Sequence, residues 1–224
     1  MTVGFRIRTQ WERLDDAHIE NFSKLPASVV SDVMSRHHAA GANLRPMHKN
    51  GVLAGSALTV KTRPGDNLMI HKAIEMAKPG DVIVVDAGGD VTNSLMGELM
   101  LAHAIKRGVS GFVLNGAIRD AEAFLERNLP VYALGITHRG PYRDGPGEIG
   151  FPVAIGGMLI EAGDLILGDF DGVVCVGRDD LAVTLAAAQK KLAAETIQME
   201  QTEAGTVDKN WIDKVLAQKG CEFL

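Results

Sequence analysis

Two carboxylates and one guanidinium fall at the edges of two polar loops in the middle of the chain: Glu98, and the pair Arg119-Asp120. Side chains of this kind suit the handling of a small anion. An arginine fork grips a carboxylate through two parallel hydrogen bonds. Carboxylate oxygens hold hard divalent ions such as Mg²⁺ or Mn²⁺, which keep several of their own waters. Gly97 precedes Glu98-Leu99-Met100, a run that reads as the first turn of a helix. The unpaired backbone N–H groups of such a turn favour an anion, and a substrate carboxylate fits there. Each residue also has a plainer reading. Asp120 could simply be the N-cap of a following helix, Glu98 a first-turn acid that complements the helix dipole, and Gly88-Gly89 an ordinary turn.

The stretch that must position these side chains runs from Gly80 to Ala121. It reads as a strand (Val82 to Val85), a Gly/Asp/Asn loop (Asp86 to Met96), a helix opening near Gly97, and a strand (Phe112 to Leu114) that ends on Asn115-Gly116-Ala117-Ile118-Arg119-Asp120. This is a βαβ unit. Such units place their chemistry just beyond the carboxyl ends of the strands, where both polar loops lie.

Upstream, a helix is predicted around Asp15 to Lys24, a second helical segment after Pro26, a strand within Gly51 to Thr62, and a helix capped near Asp66 with Ile70, Ala73, Ile74 and Ala77 inward. Downstream come a short helix (Ala121 to Arg127) and a strand (Val131 to Leu134). The loop that follows, THRGPYRDGPGEIG, is long enough to be a lid or a disordered segment. Four short runs, Phe151 to Ile155, Met158 to Ile160, Leu165 to Leu167 and Gly172 to Val176, read as a β meander. From Arg178 to about Glu203 the pattern is helical, with Leu181, Leu185, Ala188, Leu192 and Ile197 as its apolar stripe. Val207 to Lys219 suggests one more amphipathic helix.

Composition narrows the function classes. With 224 residues, 46% of them hydrophobic, and no Pro/Ser-rich linker or charge block, the chain reads as one α/β domain over 1–224. A net charge of −5 and the absence of a basic patch interleaved with aromatics argue against nucleic-acid binding. No apolar run reaches the roughly 18 residues needed to span a bilayer. Cys175 and Cys221 lack disulfide or zinc spacing, and the N-terminus lacks a signal-peptide pattern, so a cytoplasmic setting is expected. The seven histidines show no HxH or HExxH spacing and read as core or surface residues.

The run Gly97-Glu98-Leu99-Met100, with Gly116-Ala117-Ile118-Arg119-Asp120, Gly156-Gly157, Gly163-Asp164 and Asp169-Phe170-Asp171-Gly172-Val173-Val174, resembles the regulator-of-ribonuclease-activity-A-like (RraA-like) family. The likeness covers residues 25 to 200 and is greatest to the class II 4-hydroxy-4-methyl-2-oxoglutarate / 4-carboxy-4-hydroxy-2-oxoadipate aldolase branch. It implies a β/β/α sandwich, with the central βαβ unit and a long C-terminal helical extension over 178–224, assembled as a homotrimer or homohexamer with sites between subunits. It implies Asp120 as the direct ligand of a divalent metal (Mg²⁺ or Mn²⁺) and Arg119 as the grip on an oxo-acid substrate. The backbone of Leu99 and Met100, next to Gly97, would receive the pyruvate carboxylate. Glu98, and Glu195 from an adjacent subunit, would approach the metal through water. Family members commonly carry aspartate where Glu98 stands.

The reaction so implied breaks the C3–C4 bond of a 4-hydroxy-2-oxo acid and needs an electron sink for the pyruvate fragment. Oxaloacetate would decarboxylate through the same enolate. Glu98 or Asp120 would position a water that takes the C4 hydroxyl proton, and the stretch His138 to Arg143 would read the substrate's far end. Two other readings are carried forward. One is a non-catalytic regulator of an RNA-degrading enzyme; the other is a Schiff-base lyase using Lys61, if that lysine is buried at its strand end.

Overall fold

In a computed structural model that describes residues 3–222, four parallel strands form the centre of the molecule. They are Leu53–Thr62, Asp81–Asp86, Gly111–Ile118 and Val131–Ile136, side by side in that order. Their sequences are almost continuously apolar because both sheet faces are covered. Along Asp81–Asp86, Ile83 and Val85 turn to one face while Val82 and Val84 turn to the other. On the first face lie the helices Leu68–Met76, Glu98–Lys106 and Ala121–Arg127, each a crossover between consecutive parallel strands. Ile70, Ala73, Ile74 and Ala77 pack there against Phe112 and Leu114, as the periodicity predicted. Each large apolar side chain so buried contributes roughly 1.5–3 kcal/mol, which makes this layer a firm platform.

The opposite face carries a second β layer. Here the structure corrects the expected meander, because the four short strands form two separate hairpins, Val153–Ile155 with Met158–Ile160 and Leu165–Asp169 with Gly172–Val176. The turn between them is captured by the central sheet: Ala57 N–H donates to the Asp164 carbonyl (2.8 Å) and Gly163 N–H to the Ala57 carbonyl (2.9 Å). The chain is thereby steered along Leu53–Thr62, with Leu165–Asp169 as its antiparallel neighbour. Ile166 and Cys175 face the parallel sheet, while Leu165, Leu167, Val174 and Val176 face outward onto the helices Asp16–Phe22, Ala27–Val33 and Leu181–Glu203. The β/β/α sandwich is present, with this second helical layer outside it.

The last long helix is packed only through its first half. Leu181, Thr184 and Ala188 are buried, but Ile197, expected in the apolar stripe, is exposed. The helix Trp211–Gln218 buries none of its residues. Cys175 and Cys221 are both free thiols. Among the described residues no helix is long and apolar enough to cross a membrane.

Candidate active site

The site is built where the strand Gly111–Ile118 outruns its neighbour Asp81–Asp86. Pairing with that neighbour ends at Asn115, and Ala117 and Ile118 instead pair with Ser94–Met96, a short strand inside what the sequence suggested was loop. A register shift between Leu114 and Ala117 accompanies the change. Gly116 is required there, since a Cβ would stand 2.6 Å from the Leu95 side chain. As a result Met96-Gly97 and Ile118-Arg119-Asp120 leave the sheet together, tied by the Arg119 N–H donating to the Met96 carbonyl at 2.9 Å.

Asp120 occupies the N-cap position of the helix Ala121–Arg127, but its side chain does not cap that helix. Its backbone is left-handed (φ 55°, ψ 42°), a conformation that costs a non-glycine residue on the order of 1 kcal/mol. In that conformation the carboxylate reaches across Gly97. Oδ2 accepts the Glu98 N–H at 3.0 Å and lies 3.7 Å from Arg119 Nε. Gly97 leaves the room for this: a Cβ would stand 2.5 Å from Asp120 Oδ2 and 3.0 Å from Arg119 Nε. The Asp120 side chain stays 45% exposed, and Oδ1 has no hydrogen-bond partner among the described residues.

Of the three helix N–H groups expected to be open, one is therefore taken. Those of Leu99 and Met100 have no acceptor among the described residues and remain available to an anion. The Glu98 carboxylate turns away to Arg127 at 2.7 Å, an ion pair between two half-exposed side chains. Such pairs contribute about 0–1 kcal/mol, so Glu98 is held only loosely. Lys61 is 60% exposed with Nζ 3.9 Å from Asp86, and the burial that a Schiff-base role required is absent. Glu195 lies on the helix packed outside the hairpins, bound to Lys191 at 2.8 Å. That layer is on the other side of the parallel sheet from Glu98–Lys106, apart from the Asp120 of the same chain.

The crevice opens into a pocket of about 250 Å³ lined by Met96, Gly97, Leu99, Met100 and Arg119, together with four residues from elsewhere: Asn67, His71, Pro141 and Arg143. Sequence reasoning passed over Asn67 and His71. Their one signal was the i, i+4 spacing that puts both on one side of a helix. Asn67 Nδ2 donates to the Leu95 carbonyl (3.0 Å) and to the Met100 sulfur (3.2 Å), while Oδ1 is buried without a partner. His71 Nε2 is likewise buried and unpartnered. Burial, and then the neighbouring Arg143 and His103, push the His71 pKa below its ordinary value, which favours the neutral ring.

The segment from Thr137 to Gly150, expected as a lid or a disordered loop, is pinned. The Arg139 carbonyl accepts from both Ser94 N–H (2.9 Å) and Ser94 Oγ (2.8 Å), and the Gly140 carbonyl accepts from Asn93 Nδ2 at 2.6 Å. Tyr142 N–H donates to the Gly65 carbonyl and Asn67 N–H to the Tyr142 carbonyl. Asp144 and Gly145 donate to the buried Asp66 carboxylate at 2.8 and 2.9 Å. The segment ends in a strand, Gly147–Ile149, paired to Leu53–Thr62.

A family model described as RraA-like, Aldolase/RraA, matches residues 27–175, well over half of the chain. The chain belongs to the RraA-like family. A protein of Halalkalibacterium halodurans named "Putative 4-hydroxy-4-methyl-2-oxoglutarate aldolase" is 38% identical over 175 residues, covering 78% of this chain and 83% of that one. Among solved structures, an uncharacterized protein from Pseudomonas syringae pv. tomato superimposes with a TM-score of 0.78 at 21% identity, over 87% of this chain and 96% of the other. Streptomyces coelicolor RraAS2, described as an unusual member of the RNase ES inhibitor RraA protein family, gives a TM-score of 0.77 at 25% identity, over 84% and 98%. These RraA-like structures share the fold described above.

Proposed function

We propose that the chain is a pyruvate aldolase of the RraA-like family that cleaves a 4-hydroxy-2-oxo acid, with a divalent cation as cofactor and oxaloacetate decarboxylation as a side reaction. The observation that carries this reading is the posture of Asp120. A left-handed aspartate that forgoes its own helix cap reaches over a glycine, spends Oδ2 on the first N–H of the neighbouring helix and on the side facing Arg119, and leaves Oδ1 free for a ligand. Relatives named as 4-hydroxy-4-methyl-2-oxoglutarate aldolases supply the substrate type.

The donor set fits a hydrated hard ion. The free Oδ1 of Asp120 is a hard oxygen donor of the kind Mg²⁺ or Mn²⁺ takes through one carboxylate, with water and substrate completing the shell. Asp120 would hold the ion through Oδ1. When bound, the ion supplies the positive charge that polarises the substrate's 2-oxo group.

The protein's own groups account for the other requirements. The N–H groups of Leu99 and Met100 receive the C1 carboxylate, and the Arg119 guanidinium holds the 2-oxo end and offsets the charge that develops there. As the C3–C4 bond breaks, its electron pair moves to the pyruvate fragment and the C4 hydroxyl proton leaves through a water beside the Asp120 carboxylate. C3 is then protonated, giving pyruvate and a second oxo acid. Glu98 could assist that water once it releases Arg127. By the family resemblance the chain would assemble as a trimer or hexamer in which Glu195 of a neighbouring subunit approaches the site.

The test is pyruvate release from 4-hydroxy-4-methyl-2-oxoglutarate and from oxaloacetate after EDTA treatment, with Mg²⁺ or Mn²⁺ added back. Release restored by metal is expected; no release from either compound sinks the reading. The similarity to an RNase ES inhibitor family member favours a second reading, a non-catalytic regulator of an RNA-degrading enzyme. Inhibition of such a nuclease by protein that releases no pyruvate would favour it.

A further inference from the structure

Two arginines line one small pocket, and only Arg119 has been given a task. Arg143 lines the same pocket, close to the His71 ring. Seven other arginines of this chain are committed: Arg6 to Glu148, Arg13 to Asp81, Arg36 to Asp32, Arg63 to Asp66, Arg107 to the Glu75 carbonyl, Arg127 to Glu98 and Arg178 to Glu12. Arg143 has no carboxylate or carbonyl partner among the described residues. An arginine that serves only solubility needs no fixed backbone, yet this one stands on the most firmly tied part of its loop. Tyr142 before it is bonded through both its N–H and its carbonyl, and Asp144 and Gly145 after it are held by the buried Asp66 carboxylate. The loop therefore presents the guanidinium in a set direction, as a binding group must be presented.

A pocket of about 250 Å³ is smaller than the roughly 300–1,000 Å³ of sites for drug-sized ligands, and it suits a compact metabolite. With two arginines in its lining and no carboxylate side chain beside them, its charge pattern suits a short molecule that carries two anionic groups. We infer that Arg143 is a specificity-determining residue that holds the distal carboxylate of a five-carbon 2-oxo diacid while Arg119 holds the 2-oxo end. This rests on the aldolase reading for the orientation of the substrate. It goes beyond that reading by assigning the second carboxylate to a named side chain.

The test uses ligands that cannot turn over. 2-Oxoglutarate carries the distal carboxylate but lacks the C4 hydroxyl, and 2-oxopentanoate has the same five-carbon chain without that carboxylate. Binding of both is measured by calorimetry on the full-length protein with saturating Mg²⁺, for wild type, Arg143→Gln and Arg143→Lys. Wild type should bind 2-oxoglutarate at least tenfold more tightly than 2-oxopentanoate. Arg143→Gln should erase that preference while leaving 2-oxopentanoate within twofold, and Arg143→Lys should keep part of it. Undetectable binding of 2-oxoglutarate, equal binding of the two acids by wild type, or a preference that survives in Arg143→Gln would overturn the assignment. Pyruvate release is scored separately, so loss of the aldolase reading and loss of the Arg143 assignment give different results.

Discussion

Asp66 and Asp120 both sit at turns that lead into helices, and the structure uses them in opposite ways. Asp66 is fully buried, and its carboxylate accepts the N–H groups of Leu68, Asp144 and Gly145 and faces Arg63 at 3.4 Å. Asp120 is half exposed, accepts a single N–H and pays for its position with a left-handed backbone. A carboxylate saturated by backbone amides acts as a clamp; one left partly unsatisfied beside an arginine is available to a ligand. The two are coupled in space, because the clamp fixes the loop that carries Arg143 to the pocket into which Arg119 opens.

That contrast can be broken from either side. Asp120→Ala should lower pyruvate release by more than the roughly 10–100-fold typical of groups that only orient a metal ligand. Asp120→Gly should lose activity equally yet leave thermal stability unchanged or raised by up to about 1 kcal/mol, since glycine accepts the left-handed backbone. Both are read by steady-state assay and calorimetric melting. Asp66→Asn should do the reverse in stability, costing on the order of 3 kcal/mol in a urea melt as charge-assisted hydrogen bonds to a buried acceptor are lost. Gly97→Ala should cut activity about tenfold or more with a smaller change in stability, because its Cβ would displace the Asp120 carboxylate.

The pH dependence sharpens the same comparison. Burial alone would raise the Asp66 pKa, but the three backbone N–H groups and Arg63 outweigh it and hold it below the ordinary 3.8. A folded-state pKa below the unfolded one gives stability that is present above pH 3.8 and lost as the pH falls through the lower folded value. Asp66→Asn should therefore show a shallower acid limb than wild type in melts below pH 4. The smallest effect is expected from Arg127→Ala, which frees Glu98: under 1 kcal/mol in stability and no more than a few-fold in rate.

Much of the site was legible in the sequence because its signals are local. Gly97 before an apolar helical run marked a helix start, while the strand read as Phe112 to Leu114 runs on through Asn115-Gly116 to Ile118, immediately before Arg119-Asp120. What escaped depends on partners far away in the chain. The rigidity of the 137–150 segment comes from Asp66, seventy-eight residues before Asp144, and no local pattern announces it. The two hairpins were read as one meander because the turn at Gly163-Asp164 is decided by Ala57. Asn67 and His71 looked like a turn residue and an isolated histidine until folding brought them into the pocket that Arg119 lines. Glu98 is the first-turn acid that its position suggested, but its partner Arg127 lies on another helix.

The most direct test of the central claim is the half-reaction on pyruvate itself. If Asp120, Arg119 and a divalent ion stabilise the enolate, the purified protein with Mg²⁺ or Mn²⁺ should exchange the methyl hydrogens of pyruvate for deuterium in D₂O, as followed by NMR. That exchange should stop with EDTA and be absent in Asp120→Ala. Exchange that persists in Asp120→Ala, or wild-type protein that shows no exchange with either metal, would contradict the account.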